Sequence, residues 1–296
     1  MRIFLRLLPA MAFASLTACG TTYELPELGE PQTQKAATLF AEARQEGPRR
    51  QLSNSAAEAR FARVARRVAP VGKSVCEQAA AGKTGINCNV HVAIDRKMTE
   101  RNAYFTYVDK QPVIRLSMPL LRDTANDDEA AFVMSHEYGH LIGRHIEKQQ
   151  QQALAGALIL GVVAAAATGD AGYYDPGLVN SSMEIGAAAG SMAYSQTYEL
   201  ESDTLGTRIT HAAGYDPVEG AKFFARPEDA RTEAGKLSFW GTHPPDAKRL
   251  ATVLEGRANA YVDYLSVLQN DLLAVASSPA TQTAMQRFSK AYGFLK

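Results

Sequence analysis

Apolar positions along this chain repeat with two different periods. Helical spacing comes first. Gln34 to Glu46 reads as a short helix, and Ser53 can cap a longer one that carries Phe61, Val64, Ala65 and Val68 on one face. Pro70 should kink or end that helix. The period then drops to two. Asn89 to Ile94 alternates and is rich in strand formers, and Ala103 to Val108 and Pro112 to Ser117 flank the polar turn Asp109-Lys110-Gln111 as a hairpin would. A helix follows from about Asp128 to Gln152. Beyond it lie two runs of small apolar residues, Ala153 to Ala167 and Ile185 to Ala193, separated by Gly169 to Ser182, which reads as loop. The first run is shorter than a membrane span. The runs read as close-packed helical pieces, or alternatively as a surface that touches lipid or substrate. Met192 to Ala213 is a helix stopped by Gly214, and Asp216-Pro217 opens the next. Tyr261 to Ala276 and Ala280 to Tyr292 read as closing helices, and no internal repeat is present.

The helix from Asp128 carries the chemistry. Asn126-Asp127-Asp128-Glu129 supplies an N-cap and an acidic first turn. Ala130 to Met134 and then Leu141 and Ile142 are apolar, so the helix is expected to be largely buried. Within it stands His136-Glu137-Tyr138-Gly139-His140, an HExxH pattern. Positions i and i+4 share a helix face, so both imidazoles can bind one zinc ion. Glu137 is then placed to take a proton from water at the metal's open position. Buried polar groups are costly without partners, and a metal is the economical partner here.

Composition narrows the surroundings. Among the 296 residues, 31 Lys and Arg balance 31 Asp and Glu, and nothing points to nucleic acid. Arg60, Arg63, Arg66, Arg67 and Lys73 recur along one helix and read as a solvated face. At the N-terminus, Arg2 and Arg6 lead an apolar run through Leu16, a targeting segment too short for a comfortable span. It ends Leu16-Thr17-Ala18-Cys19-Gly20, which resembles a bacterial lipobox with Cys19 as the lipidated residue, followed by a polar tether from Thr21 to Gln34. Acyl chains would anchor the protein stably. Gly20 after the cysteine resembles the sorting pattern for the outer membrane, periplasmic face. Cys76 and Cys88 remain as an even pair in an oxidising compartment. A disulfide there would close a short loop worth about 3 kcal/mol in the entropy model; two buried free thiols are the alternative.

A catalytic zinc needs a third protein ligand. His145 follows His140 closely, but on an unbroken helix it lies about 140° round from it, facing away, which suits a structural role. Glu199-Leu200-Glu201-Ser202-Asp203 is the better source. Glu199 and Asp203 are four apart and face one way. Glu199 can bind zinc while Asp203 accepts from the outer nitrogen of a ligand histidine, fixing its tautomer. Glu201 points elsewhere.

HExxH followed by ExxxD resembles the gluzincin family that contains the CAAX prenyl endopeptidases, the bacterial heat-shock membrane metalloprotease and the periplasmic metalloproteases of outer-membrane quality control. His136 to His145 is similar to that family's HExGHxxxRH signature, Asp203-Thr204-Leu205-Gly206 to its Asp-x-x-Gly ending, and Thr242-His243-Pro244-Pro245 with Arg249 and Leu250 to its late His-Pro segment. The resemblance covers about residues 53 to 258. Integral relatives insert transmembrane helices between the two zinc motifs, where this chain has its two small-residue runs. The hairpin lacks the family's usual Gly-Gly turn.

The resemblance implies an α+β fold: a mainly helical, minigluzincin-like zincin domain with a small antiparallel sheet beside the HExxH helix. The expected organisation is a lipoprotein signal peptide over 1–18, a lipidated tether and short helix over 19–52, the peptidase domain over 53–258 and closing helices over 259–296. One Zn2+ per chain is expected on His136, His140 and Glu199, with Glu137 as base and Asp203 behind a ligand. Substrate is expected to pair with a free edge of the hairpin at Val113, Ile114, Arg115, Leu116 and Ser117, which suits unfolded or misassembled envelope polypeptides. His243 either stabilises the oxyanion or closes the zinc site as a fourth ligand. Arg249 pairs with a site carboxylate or with a surface acid. The rival functions are a zinc-stabilised, chaperone-like lipoprotein that binds clients without cleaving them, and a zinc hydrolase of another bond such as a cell-wall amide. Glu137 favours catalysis over the first, and an extended-strand hairpin favours polypeptide over the second.

Overall fold

The structure, a computed structural model, describes residues 21–47, 49–170, 175–192 and 195–259, together with Ser278, Thr281 and Thr283. Cys19 and the closing helices expected beyond residue 260 lie outside the described residues, apart from those three.

Two helices open the chain, α1 (Glu30–Ala43) and α2 (Asn54–Ala80). Ser53 caps α2 by accepting the Ala56 N–H at 3.2 Å, satisfying one of the free amides of the first turn. The helix does not end at Pro70 but runs on through it to Ala80. Pro70 lies on the exposed face, where water can take the carbonyl that the missing N–H leaves free. The opposite face buries Val64, Val68 and Cys76. Cys76 is joined to Cys88 by a disulfide across a Cα separation of 5.7 Å, tying the end of α2 to the chain that leads into the sheet.

The sheet has three strands, β1 (His91–Asp95), β2 (Ala103–Val108) and β3 (Gln111–Ser117). The β2–β3 hairpin is antiparallel, with Val108 opposite Gln111. Its turn residues Asp109 and Lys110 have φ of 50° and 63°, the left-handed pair that matches strand twist in a two-residue turn. Strand β1 joins in parallel on the far side of β3, so the sheet is mixed and its order is β1-β3-β2. This corrects the expected substrate strand. Val113, Ile114, Arg115, Leu116 and Ser117 belong to the central strand, whose backbone is paired on both sides. The free edge of the hairpin is β2.

A short helix, α3 (Met118–Asp123), leads to the central one, α4 (Asp127–Gly143). Asn126 caps α4 by accepting the Glu129 N–H at 2.9 Å. Almost every side chain of α4 is buried, polar ones included, because α2, α7 (Ser195–Ala212) and α8 (Pro217–Ala221) all pack on it.

Here the structure departs from the unbroken helix expected to Gln152. Helix α4 stops at Gly143, Arg144 takes the left-handed conformation (φ 56°, ψ 42°), and α5 (His145–Asp170) starts in a new direction. Gly143 is required at the break, since a Cβ there would stand 2.3 Å from His145 Nε2. Helix α5 forms a hairpin with α6 (Pro176–Met192). Most of the stretch expected as loop over 169–182 is therefore helical. Asp175 caps α6, accepting the N–H groups of Gly177 and Leu178 at 2.9 and 3.1 Å; the Asp-Pro pair is a helix start rather than loop chemistry. A final short helix α9 (Phe239–Thr242) and a helix over residues 247–259, α10, close the described fold.

The described part of the expected tether lies on the body of the fold. Residues 21–29 run over the surface, Leu28 packs against the core, and α1 already begins at Glu30.

Candidate metal centre

Helices α4 and α7 cross closely enough to bring their polar side chains together. A Cβ on Gly139 would stand 2.6 Å from the Ser202 Cα, and one on Gly206 would stand 3.1 Å from the His136 backbone nitrogen. Gly139 is required for the approach, and at Gly206 a side chain would force the two backbones slightly apart. As a result, His136 and His140 from α4 face Glu199 from α7. The two Nε2 atoms are 3.0 Å apart, and each lies 3.4 Å from an oxygen of Glu199. His243, just after α9, completes a set of donor atoms that all lie within 4.8 Å of one another. Three imidazole nitrogens and a carboxylate at this spacing are the donor types and number that zinc takes. Two Nε2 lone pairs facing each other in a buried site call for a cation between them.

The surrounding groups orient these donors. Asp203 Oδ1 lies 2.9 Å from His136 Nδ1, which leaves Nε2 of a neutral ring free of hydrogen and able to ligate. Arg249 on α10 donates to both oxygens of Asp203, at 2.7 and 2.8 Å, and reaches Glu199 Oε2 at 3.1 Å. Arg249 thus pairs with site carboxylates, not with a surface acid. Burial opposes charge on Asp203, but Arg249 outweighs it and holds the carboxyl below its ordinary range. Burial likewise opposes charge on His136, yet Asp203 and Glu199 outweigh it and hold its pKa at about 9.

Glu137 lies beside the same donors. It is fully buried, and desolvation pushes its pKa up to about 7. Its Oε1 makes no hydrogen bond and lies 3.5 Å from His243 Nε2. The backbone of Phe105, on the β2 edge, opposes the shift, and β2 packs against α4. The free edge of the sheet therefore runs beside this glutamate. His243 stacks on Phe239 at a centroid distance of 4.5 Å and holds the Thr242 hydroxyl at 2.8 Å from Nδ1. Burial pushes its pKa down to about 4, so it offers a neutral ring.

His145 is not turned away from the site, as an unbroken helix would require. The break at Arg144 swings it back, so that its Nδ1 lies 2.8 Å from His140 Nδ1 and its Nε2 lies 2.9 Å from Glu201 Oε2. It is a support for a ligand, not a ligand. Glu201 points away from the donors, towards His145. Sequence reasoning missed this His145–Glu201 pair because it depends on the helix break. The Arg144-His145 end of the HExGHxxxRH signature was its only trace.

A model of peptidase family M48 matches residues 62–257. The beta-barrel assembly-enhancing protease of Yersinia pestis is 30% identical over 165 residues, covering 53% of this chain and 33% of that protein. Mitochondrial metalloendopeptidase OMA1 of Saccharomyces cerevisiae is 27% identical over 171 residues, 56% of this chain and 46% of its own length. Metalloprotease LoiP of Escherichia coli is 30% identical over 130 residues, 44% of this chain and 49% of its own length. The chain thus spans about a third to a half of the length of these relatives.

Proposed function

Because the chain belongs to peptidase family M48, we propose that it is a zinc metalloendopeptidase, lipid-anchored through Cys19 at the periplasmic face of the outer membrane. In this reading it hydrolyses misfolded or unassembled envelope proteins. The observation that carries the catalytic part is the convergence of His136, His140 and Glu199 with Glu137 buried beside them. The two histidines and Glu199 would hold one zinc. When bound, zinc supplies Lewis acidity, which makes water a nucleophile at neutral pH and polarises a carbonyl. Glu137 takes the proton of the attacking water and delivers it to the leaving nitrogen; its raised pKa suits both halves of that task. Asp203 and Arg249 keep His136 oriented.

The β2 edge offers backbone groups to an extended substrate, and β2 packs on α4, the helix that carries Glu137. Pairing through backbone is indifferent to side-chain identity, as unfolded clients require. The envelope assignment draws on the lipobox-like Cys19 and on relatives named for beta-barrel assembly.

The test is degradation of an unfolded model protein by the mature chain beside Glu137→Gln, with zinc content measured in both. The variant is expected to keep its zinc and lose roughly 10²- to 10⁴-fold in rate, the usual range for a general base. Equal rates for the two proteins would remove Glu137 from the mechanism. Zinc-loaded protein that binds the client but does not cut it, even after His243→Ala, would point to a client-binding lipoprotein instead.

A further inference from the structure

Glu201 is a fully buried carboxylate on α7 that the proposed mechanism does not use. Its Oε1 accepts two backbone N–H groups, from Thr22 at 2.6 Å and Tyr23 at 2.7 Å. Its Oε2 faces His145 Nε2 at 2.9 Å and Lys148 Nζ at 3.5 Å. Thr22 also donates its hydroxyl to the Gly143 carbonyl at 3.4 Å, at the break between α4 and α5. Residues far apart in sequence therefore meet around one carboxylate.

The hydrogens along this chain of contacts can run in only one direction. A ligating His140 keeps Nε2 bare, so its hydrogen is on Nδ1. The two facing Nδ1 atoms, 2.8 Å apart, share that single hydrogen, and His145 accepts it. A neutral His145 then carries its own hydrogen on Nε2 and donates it to Glu201. Glu201 is left as a carboxylate whose other oxygen is filled by the two amides of residues 22 and 23. The stacked ring of Tyr198, 4.5 Å away, fixes the plane of His145. Each contact sets the tautomer and angle of the one before it, as partners behind metal ligands do.

We infer that the Thr22–Tyr23 strap is the outermost support of the metal centre: it positions Glu201, which through His145 orients His140. This rests on the zinc-site reading above. Strap, Glu201 and His145 are positioning groups and touch no substrate. Thr22 lies three residues from Cys19, at most about 11 Å of extended chain. A lipid anchor on Cys19 would therefore attach almost directly to this support.

Proline removes a backbone donor while leaving Glu201 in place. The full mature chain is compared with Thr22→Pro/Tyr23→Pro, with Thr22→Ala/Tyr23→Phe, which retains both N–H groups, and with Glu201→Gln. Zinc affinity is read by competition with a chromogenic chelator. The cobalt-substituted spectrum reports ligand geometry, and the melting of the metal-free proteins reports folding. The double proline variant and Glu201→Gln are expected to lose about tenfold in zinc affinity, the lower end for groups behind a ligand. Their cobalt spectra should shift, and Thr22→Ala/Tyr23→Phe should match the wild type. Wild-type affinity and spectrum in the double proline variant would overturn the inference. So would a loss of affinity shared equally by the variant that retains both amides. If the proline variant melts early, Glu201→Gln decides alone: a native spectrum and affinity there overturn the inference. A wild-type chain that binds no zinc would instead remove the metal-site reading beneath it.

Discussion

His243 adds a fourth donor to a cluster in which a catalytic zinc would need one position open. With His136, His140 and Glu199 it makes four protein donors, the number that closes a structural zinc site. Its neutral ring, kept so by burial, is fit to ligate, and its Nε2 stands over Glu137, 3.5 Å from Oε1. A ring that ligated from there would keep water from the base. It is carried at the end of α9, a helix of four residues, and so little structure must move to release it. His243→Ala is therefore expected to raise cleavage of an unfolded protein several-fold while weakening zinc binding. A large fall in cleavage with zinc affinity unchanged would sink the idea of a closed resting site and assign His243 to the oxyanion instead. Arg249 makes the opposite kind of contribution. It is bonded to Asp203 and paired with Glu199, and it neutralises the carboxylates that orient and ligate.

The elements that hold the site are locked to one another by charges at their ends. Asp127, in the first turn of α4, receives Arg60 at 3.1 Å and Arg63 at 2.7 Å from α2. It also lies at the positive end of the helix dipole. The hydrogen bond from Arg63 is the largest influence, and the Asp127 carboxyl is held below its ordinary value of 3.8. A carboxyl whose folded pKa is depressed stabilises the fold above the unfolded pKa, and the effect is lost as pH falls through the folded value. Asp127→Asn should accordingly cost about 1 kcal/mol at neutral pH, a figure reduced for the partial exposure of the pair. The gap between the two melting curves should close below pH 3.8. A gap that persists there would show that packing, not charge, is what the substitution removes. How much could be read from sequence follows the same division between local and distant causes. The HExxH and ExxxD pairs were legible because four-residue spacing on a helix is a local fact. The sheet order was not, since nothing in β3 itself says that β1 will pair along its other side. The break at Arg144 was not legible either, because the glutamine-rich run beyond it is a good helix continuation. What favours the break is distant: Glu201, Ser202 and Tyr198, all on α7, receive the ring of His145. Asp175-Pro176 was a local signal, but its glycine-rich surroundings made a helix cap read as loop.

At the scale of the whole molecule, the α5–α6 hairpin stands apart from the rest. From Gln149 to Gly169 it carries no charged residue. Leu154, Leu158, Ile159, Val162 and Val163 are exposed along α5, and Leu178 and Ile185 along α6. The stretch His145–Thr168 is long and apolar enough to cross a membrane, with a mean hydropathy of 1.6 and only 28% of the most apolar window buried. An exposed apolar stripe of this kind marks a contact. Its position suggests which one. Thr22 is bonded at Gly143, beside the start of α5, and lies three residues from Cys19. A lipid on Cys19 would hold the foot of the hairpin within about 11 Å of the bilayer surface. The stripe then has lipid within reach, and each exposed aliphatic side chain that enters it contributes up to about 1.5–3 kcal/mol. The mature chain with Cys19→Ser, which has no acyl chain, is therefore expected to float with phospholipid vesicles. Leu158→Asp/Val162→Asp in the same background should stay in solution while melting at the same temperature. If the unacylated chain itself stays in solution, the stripe is not a lipid contact, and a polypeptide such as a client or a second copy of the chain becomes the surface to test against it.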